Sequence, residues 1–423
     1  RGAGSVPDKL HLRLSERALP GMSLLRAALA WPARRVASVL AMRGFAAAVL
    51  GGAPAAAEGL GTPTKESRMR GALLGALVAD SLSLATHYEY DAVKIRTFYG
   101  KLDTYYAPGE KTGGTTHGIG WGGRNFHDGN GNGPAKAAGE LTDYGDYTML
   151  IAEHLAATAA SPRPLDVAEL VPRWQTALAT WRSWICTQTR ATYDQVQRGM
   201  PTASLGGMSN AMAVRHAAAL AYYADEESVA AAARAAMFTH REATALQGGE
   251  FFARVAYRVV HAGLTPAEAI SAVAAEPQTP AFVKTKVQQA LDKVREATDP
   301  ASDLFKEPFL DDLAITSMAR LWDVGRSEPI KVGKASPTEG TLPGSVYFIV
   351  KYGSDFLGAA RANAEVGGDS ASRAVAIGSV LGAFVGVEGL PAHLGQGALK
   401  EWDRAHELLD QMPLLRGKSS PEL

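Results

Sequence analysis

Carboxylates and hydroxyls stand beside glycines in three stretches of this chain: GALVADSLSLATHYEYD over 75–91, TDYGDYTML over 142–150 and VGGDSASRAVAIGSVLGAFVGVEG over 366–389. In the third, Gly367 and Gly368 permit a sharp turn, Asp369 can cap or ligate, and Ser370 and Ser372 add hydroxyls as a helix opens. Oxygen ligands at i and i+3 of a first turn, here Asp369 and Ser372, converge on one hard cation such as Mg²⁺. Asp146 and Thr148 open another helix in the same manner. Two such helix starts facing one cleft would also favour an anionic phosphate group through their N-terminal dipoles. Asp, Ser and Thr are ordinary helix caps as well, so the residue types alone leave ligand and cap open.

The elements that must position these groups are helices. Apolar periodicity predicts them over 69–86, 147–158, 167–187, 210–224 with Asn210 as N-cap, 228–239, 242–262, 266–276, 281–297, 353–365, 370–387 and 399–412. Gly71 and Gly75, one turn apart, suit a central helix approached closely by its neighbours. Thr265-Pro266-Ala267-Glu268 is a start signal with an N-cap, a proline in the first turn and a capping-box glutamate. Between 90 and 140 the pattern turns to Gly, Thr, Asn and aromatic residues, including GGTTHGIGWGGRNFHDGNGNG, and reads as one long loop that closes over a pocket or is merely mobile. The segment 323–343, rich in Lys, Gly and Pro, interrupts the helices, with room for a short hairpin.

Composition narrows the partners. The 43 basic and 43 acidic side chains cancel, which removes the electrostatic footprint of a general nucleic-acid or anionic-membrane binder. No P-loop pattern is present. The single cysteine, Cys186, is expected to be a small buried hydrophobe, with no helix start or histidine nearby in sequence to activate it. From Met22 to Ala57 there is no Asp or Glu, while Arg26, Arg34, Arg35 and Arg43 lie among Ala, Leu and Val. That is the composition of an organelle-import leader, so 1–66 is expected to be a targeting or disordered leader, 67–415 the helical domain and 416–423 a disordered tail. The compartment implied is the mitochondrion or plastid, with a cytoplasmic location as the alternative. No apolar stretch approaches the ~20 residues that span a bilayer.

At the level of whole motifs the chain resembles the ADP-ribosylglycohydrolase superfamily. GALLGALVADSLSLATHYEYD is similar to that family's opening G-x-x-x-G-x-x-x-G-D-A-x-G, TDYGDYTML to its T-D-D-T-x-M, and VGGDSASRAVAIGSVLGAFVGVEGLP to its G-G-D-T-D-T segment. GGMSNAMAVRHAAAL with MFTHREATA resembles the G-N-G-x-x-M-R segment and the Thr-His pair. The four motifs run in the family's order over roughly 68–395. The resemblance implies an all-α, compact, multi-helix orthogonal bundle, a partner that is an ADP-ribose-containing small molecule or modified protein, and hydrolysis of an N- or O-glycosidic bond.

Departures from the pattern bear on the metal. In active members T-D-D-T and D-T-D-T ligate two magnesium ions. Here the first is matched with Gly145-Asp146-Tyr147-Thr148 and the second with Asp369-Ser370-Ala371-Ser372, so two carboxylates and one Thr are lost. The ligand set that remains is Asp146, Asp369 and Ser372, enough for one Mg²⁺ or none. Asp146 and Asp369 are the expected catalytic carboxylates, with His87, His117, Arg373 and Gly368 as substrate-binding residues. HYEYD over 87–91, YGD over 144–146 and GGDSASR over 367–373 are similar to the J-crystallin and selenoprotein J-like subgroup. That likeness keeps a second expectation open, a catalytically inactive structural or binding protein.

Overall fold

The computed structural model describes residues 62–114, 127–321, 330–331 and 333–417. Most of the expected leader, most of the tail and His117 lie outside these described residues. The first helix, α1 (Lys65–Ser83), starts where Thr64 accepts a hydrogen bond from the Ser67 amide at 3.1 Å. It is buried on every side from Ser67 to Ser83, as a helix without a polar face must be. Its partner is α14 (Ser370–Val385), equally buried over most of its length. The two backbones touch through glycines: a Cβ on Gly75 would sit 2.5 Å from the Gly378 carbonyl oxygen and 2.9 Å from Gly382 Cα. Only hydrogen side chains at these positions let the helices approach so closely.

Around this pair are α2 (Ala92–Tyr99), α3 (Asp143–Thr158), α4 (Val167–Leu178), α5 (Thr187–Gln197), α6 (Ala219–Tyr222), α7 (Glu226–Ala236), α8 (Ala243–His261), α9 (Pro266–Ala275), α10 (Ala281–Thr298), α11 (Leu310–Ser317), α12 (Thr338–Tyr352), α13 (Phe356–Val366) and α15 (Trp402–Gln411). A two-residue antiparallel ribbon, β1 (Arg320–Leu321) with β2 (Ile330–Lys331), lies at the predicted break before α12. The molecule is all-α in class, and one continuous apolar core links α1, α3, α8, α12 and α14. At the start of α9 Thr265 and Glu268 form the predicted capping box.

Three departures from the sequence reading shape the site. The run 167–187 is not one helix: α4 ends at Leu178, and α5 begins at Thr187. The run 210–224 is helical only over α6. Asn210 does not cap a helix there, because its carbonyl accepts the Thr338 amide at 2.8 Å and its side chain donates to Glu339 at 2.6 Å. These ties, with bridges Gly207 to His240 and Ala211 to Pro337, hold 207–211 extended. Finally α12 contains Pro343, which forfeits a hydrogen bond, yet its apolar face from Leu342 to Val350 is buried and outweighs the local penalty.

Candidate active site

α3 is placed by α1. At the end of α1 the buried Asp80 carboxylate accepts the Thr142 amide at 2.8 Å and the Thr142 hydroxyl at 2.6 Å, while the same hydroxyl oxygen caps the Tyr144 amide. A side chain at position 145 would run into Asp80, so Gly145 is required for this junction. Burial pushes Asp80 up to about 7, against the lowering effect of the Thr142 hydrogen bonds. With Thr142 as cap, Asp143 is the first residue of α3 and Asp146 lies a turn beyond.

α14 is placed by a turn rather than by another helix. Gly367 and Gly368 both have positive φ, 71° and 68°. The Gly368 amide donates to Glu89 at 2.6 Å and its carbonyl accepts the Tyr88 amide at 2.7 Å. Tyr88 is itself held at φ 65°, a strained setting for a side chain of its size. Beneath this turn lies Arg373, fully buried. It donates to Asn363 Oδ1 at 2.8 Å and to the Gly367 carbonyl at 2.6 Å, and burial lowers it to about 10. It clamps the turn that presents Asp369. Its hydrogen bonds, to Asn363, Gly367 and Lys334, do not include Asp369.

The two helix starts meet at His87. This ring, 1% exposed, has Nδ1 3.8 Å from Asp369 Oδ1 and Nε2 3.9 Å from Asp143 Oδ1. Tyr144 donates to Asp369 Oδ2 at 2.9 Å, and Asp369 caps the Ser372 amide at 3.2 Å. His127 completes the cluster, its ring centroid 5.5 Å from that of His87. Its backbone is pinned by the Lys136 amide on its carbonyl at 2.9 Å. Burial raises Asp143 well above the usual carboxylate range, and the charges of Asp369, Asp80 and Asp146 add to it. Asp369 is raised by burial in the same way.

Two predicted residues are engaged elsewhere. Asp146 receives Lys136 Nζ at 2.6 Å and the Ser183 hydroxyl, so the acid of this helix start that reaches His87 is Asp143, not Asp146. The Ser372 hydroxyl donates to the Met212 carbonyl at 2.9 Å and fastens the extended segment to α14.

A cavity of roughly 200 Å³ opens beside the cluster, with Asp143, Tyr88 and Tyr144 on one wall. The other walls come from residues that the sequence reading did not name as site residues: Trp184 and Cys186 ahead of α5, Arg215 ahead of α6, and His240. Arg215 lies 3.6 Å over the Tyr147 ring and donates to Thr239 Oγ1 at 3.0 Å. Cys186 has two neighbours that the sequence reading did not foresee, a helix start and a histidine, yet the raised thiol agrees with the expected unreactive cysteine. It caps α5, and its Sγ lies 4.0 Å from His240 Nε2, although burial pushes the thiol upward. Only the split of 167–187 into two helices reveals this helix start.

The family model for ADP-ribosylglycohydrolase matches residues 61–422. The chain belongs to the ADP-ribosylglycohydrolase family. A solved structure described as an "ADP-ribosylglycohydrolase-related protein complex" is similar at 19% identity and TM-score 0.48, covering 83% of this chain and 98% of that one. No curated protein matches the chain.

In this family member Thr142 is the cap and Asp143 the acid at the cluster, so the resemblance to T-D-D-T falls on Thr142-Asp143-Tyr144-Gly145 rather than on Gly145 to Thr148. Tyr144 then stands where a second carboxylate would, and it donates a proton to Asp369. Ala371 offers no donor atom. A pair of magnesium ions needs several converging oxygens in near-octahedral geometry. The imidazole of His87 between Asp143 and Asp369 does not fit that requirement. The group here that could hold a metal is a different one: His87, His127 and Asp143 each direct a ligand atom to within 4.8 Å of the others.

Proposed function

We propose that this cavity receives the distal ribose of an ADP-ribosylated substrate, and that the protein hydrolyses its N- or O-glycosidic bond without a magnesium pair. The observation that carries the reading is Asp143: a buried carboxyl with raised proton affinity in a cavity wall, where two helix starts converge. Such a group can remain protonated and act as a general acid. In the step proposed, the bond from the anomeric carbon to the leaving nitrogen or oxygen breaks, and Asp143 gives its proton to the leaving atom. Water adds hydroxide to the anomeric carbon, and its remaining proton restores Asp143. Tyr88 and Tyr147 supply ring faces for the sugar and exclude bulk water, and Arg215 brings positive charge to the same cavity.

The test is release of ADP-ribose from ADP-ribosyl-arginine, ADP-ribosyl-serine or O-acetyl-ADP-ribose, with and without magnesium, by wild type, Asp143→Asn and Asp369→Ala. Magnesium-independent release by wild type that falls at least ~100-fold in Asp143→Asn supports the proposal. Equal background release from all three proteins overturns it.

A second reading, a crystallin-like binding or structural protein without turnover, is favoured by one observation: Asp369 is fully buried and its oxygens accept the Tyr144 phenol and the Ser372 amide, which withdraws one of the two expected catalytic carboxylates from the cavity. Saturable ADP-ribose binding with no release from any of the three substrates would select it. In either reading the cationic segment over 22–57 is proposed to direct the chain to a mitochondrion or plastid, which a fusion of that segment to a fluorescent reporter would test.

A further inference from the structure

We infer that His87, His127 and Asp143 form a site for one divalent first-row transition ion of the zinc type, with Asp369 orienting His87. Two imidazoles and a carboxylate are the donor chemistry of such ions, whereas magnesium selects oxygen ligands and dehydrates reluctantly. The ligand atoms already lie within 4.8 Å of one another. Bonds of ~2.0–2.2 Å to a common centre put tetrahedral ligand atoms ~3.4 Å apart, so the three must close by at most about 1.4 Å.

Two further observations point to a ligand. Asp143 is 7% exposed, and its Oδ1, the oxygen that faces His87, accepts no hydrogen bond among the described residues. A buried carboxylate oxygen left this way is costly unless a cation or proton meets it. On the far side of the His87 ring, Nδ1 faces Asp369 Oδ1 at 3.8 Å while Nε2 faces Asp143. At that separation Asp369 makes no hydrogen bond to the ring, but it stands on the nitrogen away from Asp143, the position from which a carboxylate orients a ligating histidine. Lys136 is bound by Asp146 at 2.6 Å. Asp143 also lines the cavity, so an ion here is reachable by a ligand.

The site draws on the same Asp143 as the hydrolysis proposed above, ionised here and protonated there, so the two are alternative states of that carboxyl. Binding is read without substrate, which keeps its failure distinguishable from failure of the hydrolysis. The full chain, stripped with a chelator, is titrated with Co²⁺ while its visible ligand-field bands are followed, and then challenged with Zn²⁺ or Mg²⁺. One equivalent of Co²⁺ is expected, displaced by Zn²⁺ and not by Mg²⁺. Asp369→Asn should weaken it by about 10- to 100-fold. His127→Gln should abolish it, while His393→Gln, at an exposed histidine, should leave it intact. Because His127→Gln could disturb the buried cluster, His127→Cys provides the deciding reading: it should retain Co²⁺ and add a thiolate charge-transfer band absent from wild type. The inference is overturned if wild type gives no ligand-field band, if His127→Gln binds like wild type, if Mg²⁺ displaces Co²⁺, or if His127→Cys gains no thiolate band.

Discussion

Consider the substitution Gly75→Ala in α1. Elsewhere in a helix, exchanging glycine for alanine stabilises by ~0.5–1 kcal/mol, because alanine loses less chain entropy on folding. At position 75 the new methyl would lie 2.5 Å from the Gly378 carbonyl oxygen, 2.9 Å from Gly382 Cα and 3.1 Å from the Phe356 ring. The first two obstacles are backbone of α14 and cannot rotate aside. Relief to an ordinary contact of ~3.5 Å needs the helices to part by ~1 Å, and a gap of that size forfeits a quarter to a half of the dispersion energy of the atoms along the seam. Overpacking of this kind costs about 1–3 kcal/mol or more, so the net effect is a loss of roughly 2 kcal/mol. A drop of about 3 °C in Tm is expected for a domain of this size, measured by circular dichroism with unfolding shown to be reversible. Gly248→Ala in α8 is the control, since its methyl would meet only the ends of Met212 and Thr338 at 3.0 Å, and its loss should be smaller. The same separation shifts Asp369, at the head of α14, relative to Asp143, so ADP-ribose affinity should fall with stability. A Gly75→Ala protein that melts at or above wild type would refute the close-seam argument, because chain entropy would then have outweighed the steric cost.

Further expectations concern the charged groups. If Asp143 donates the proton, kcat/KM should decline as pH rises through its elevated pKa, and Asp143→Asn should remove that limb; a limb that persists in the variant counts against the assignment. Asp80, raised to about 7 from an ordinary carboxylate value, contributes stability that is fully present below the unfolded pKa and is lost as pH rises through about 7. Asp80→Asn, which can keep both Thr142 contacts if the hydroxyl reverses its role, should therefore gain on wild type between pH 5 and 8 in urea titrations, and a pH-independent difference would contradict this. Arg373→Ala should cost roughly 3 kcal/mol or more by leaving the buried Asn363 and Gly367 oxygens unmatched, and Arg373→Lys should recover only part of it. Chemical denaturation of both variants checks that order.

Much of the fold was legible because its signals are local. A helix with Gly71 and Gly75 one turn apart announces close packing, and α1 and α14 meet through such glycines. Thr265, Pro266 and Glu268 specify the start of α9 without help from the rest of the chain. The acids of the site were legible as a group for the same reason, since Asp at a helix start beside a Thr cap or a Gly pair is a short-range pattern.

Tertiary structure alone decided which of those acids face the site. Asp143 and Asp146 share one turn of α3, and the sequence offers no ground for preferring either; Asp80 chooses by fixing Thr142 as the cap, and Lys136 then takes Asp146 away. His127 joins His87 because the loop folds back under the Lys136 amide, a contact that no periodicity encodes. The run 210–224 reads as helical, but bridges from Gly207 to His240 and from Ala211 to Pro337 draw its start out, and Ser209 and Arg215 line a cavity. Local propensity differs among such alternatives by less than ~1 kcal/mol per residue, and buried long-range hydrogen bonds between segments far apart in the chain are enough to reverse it.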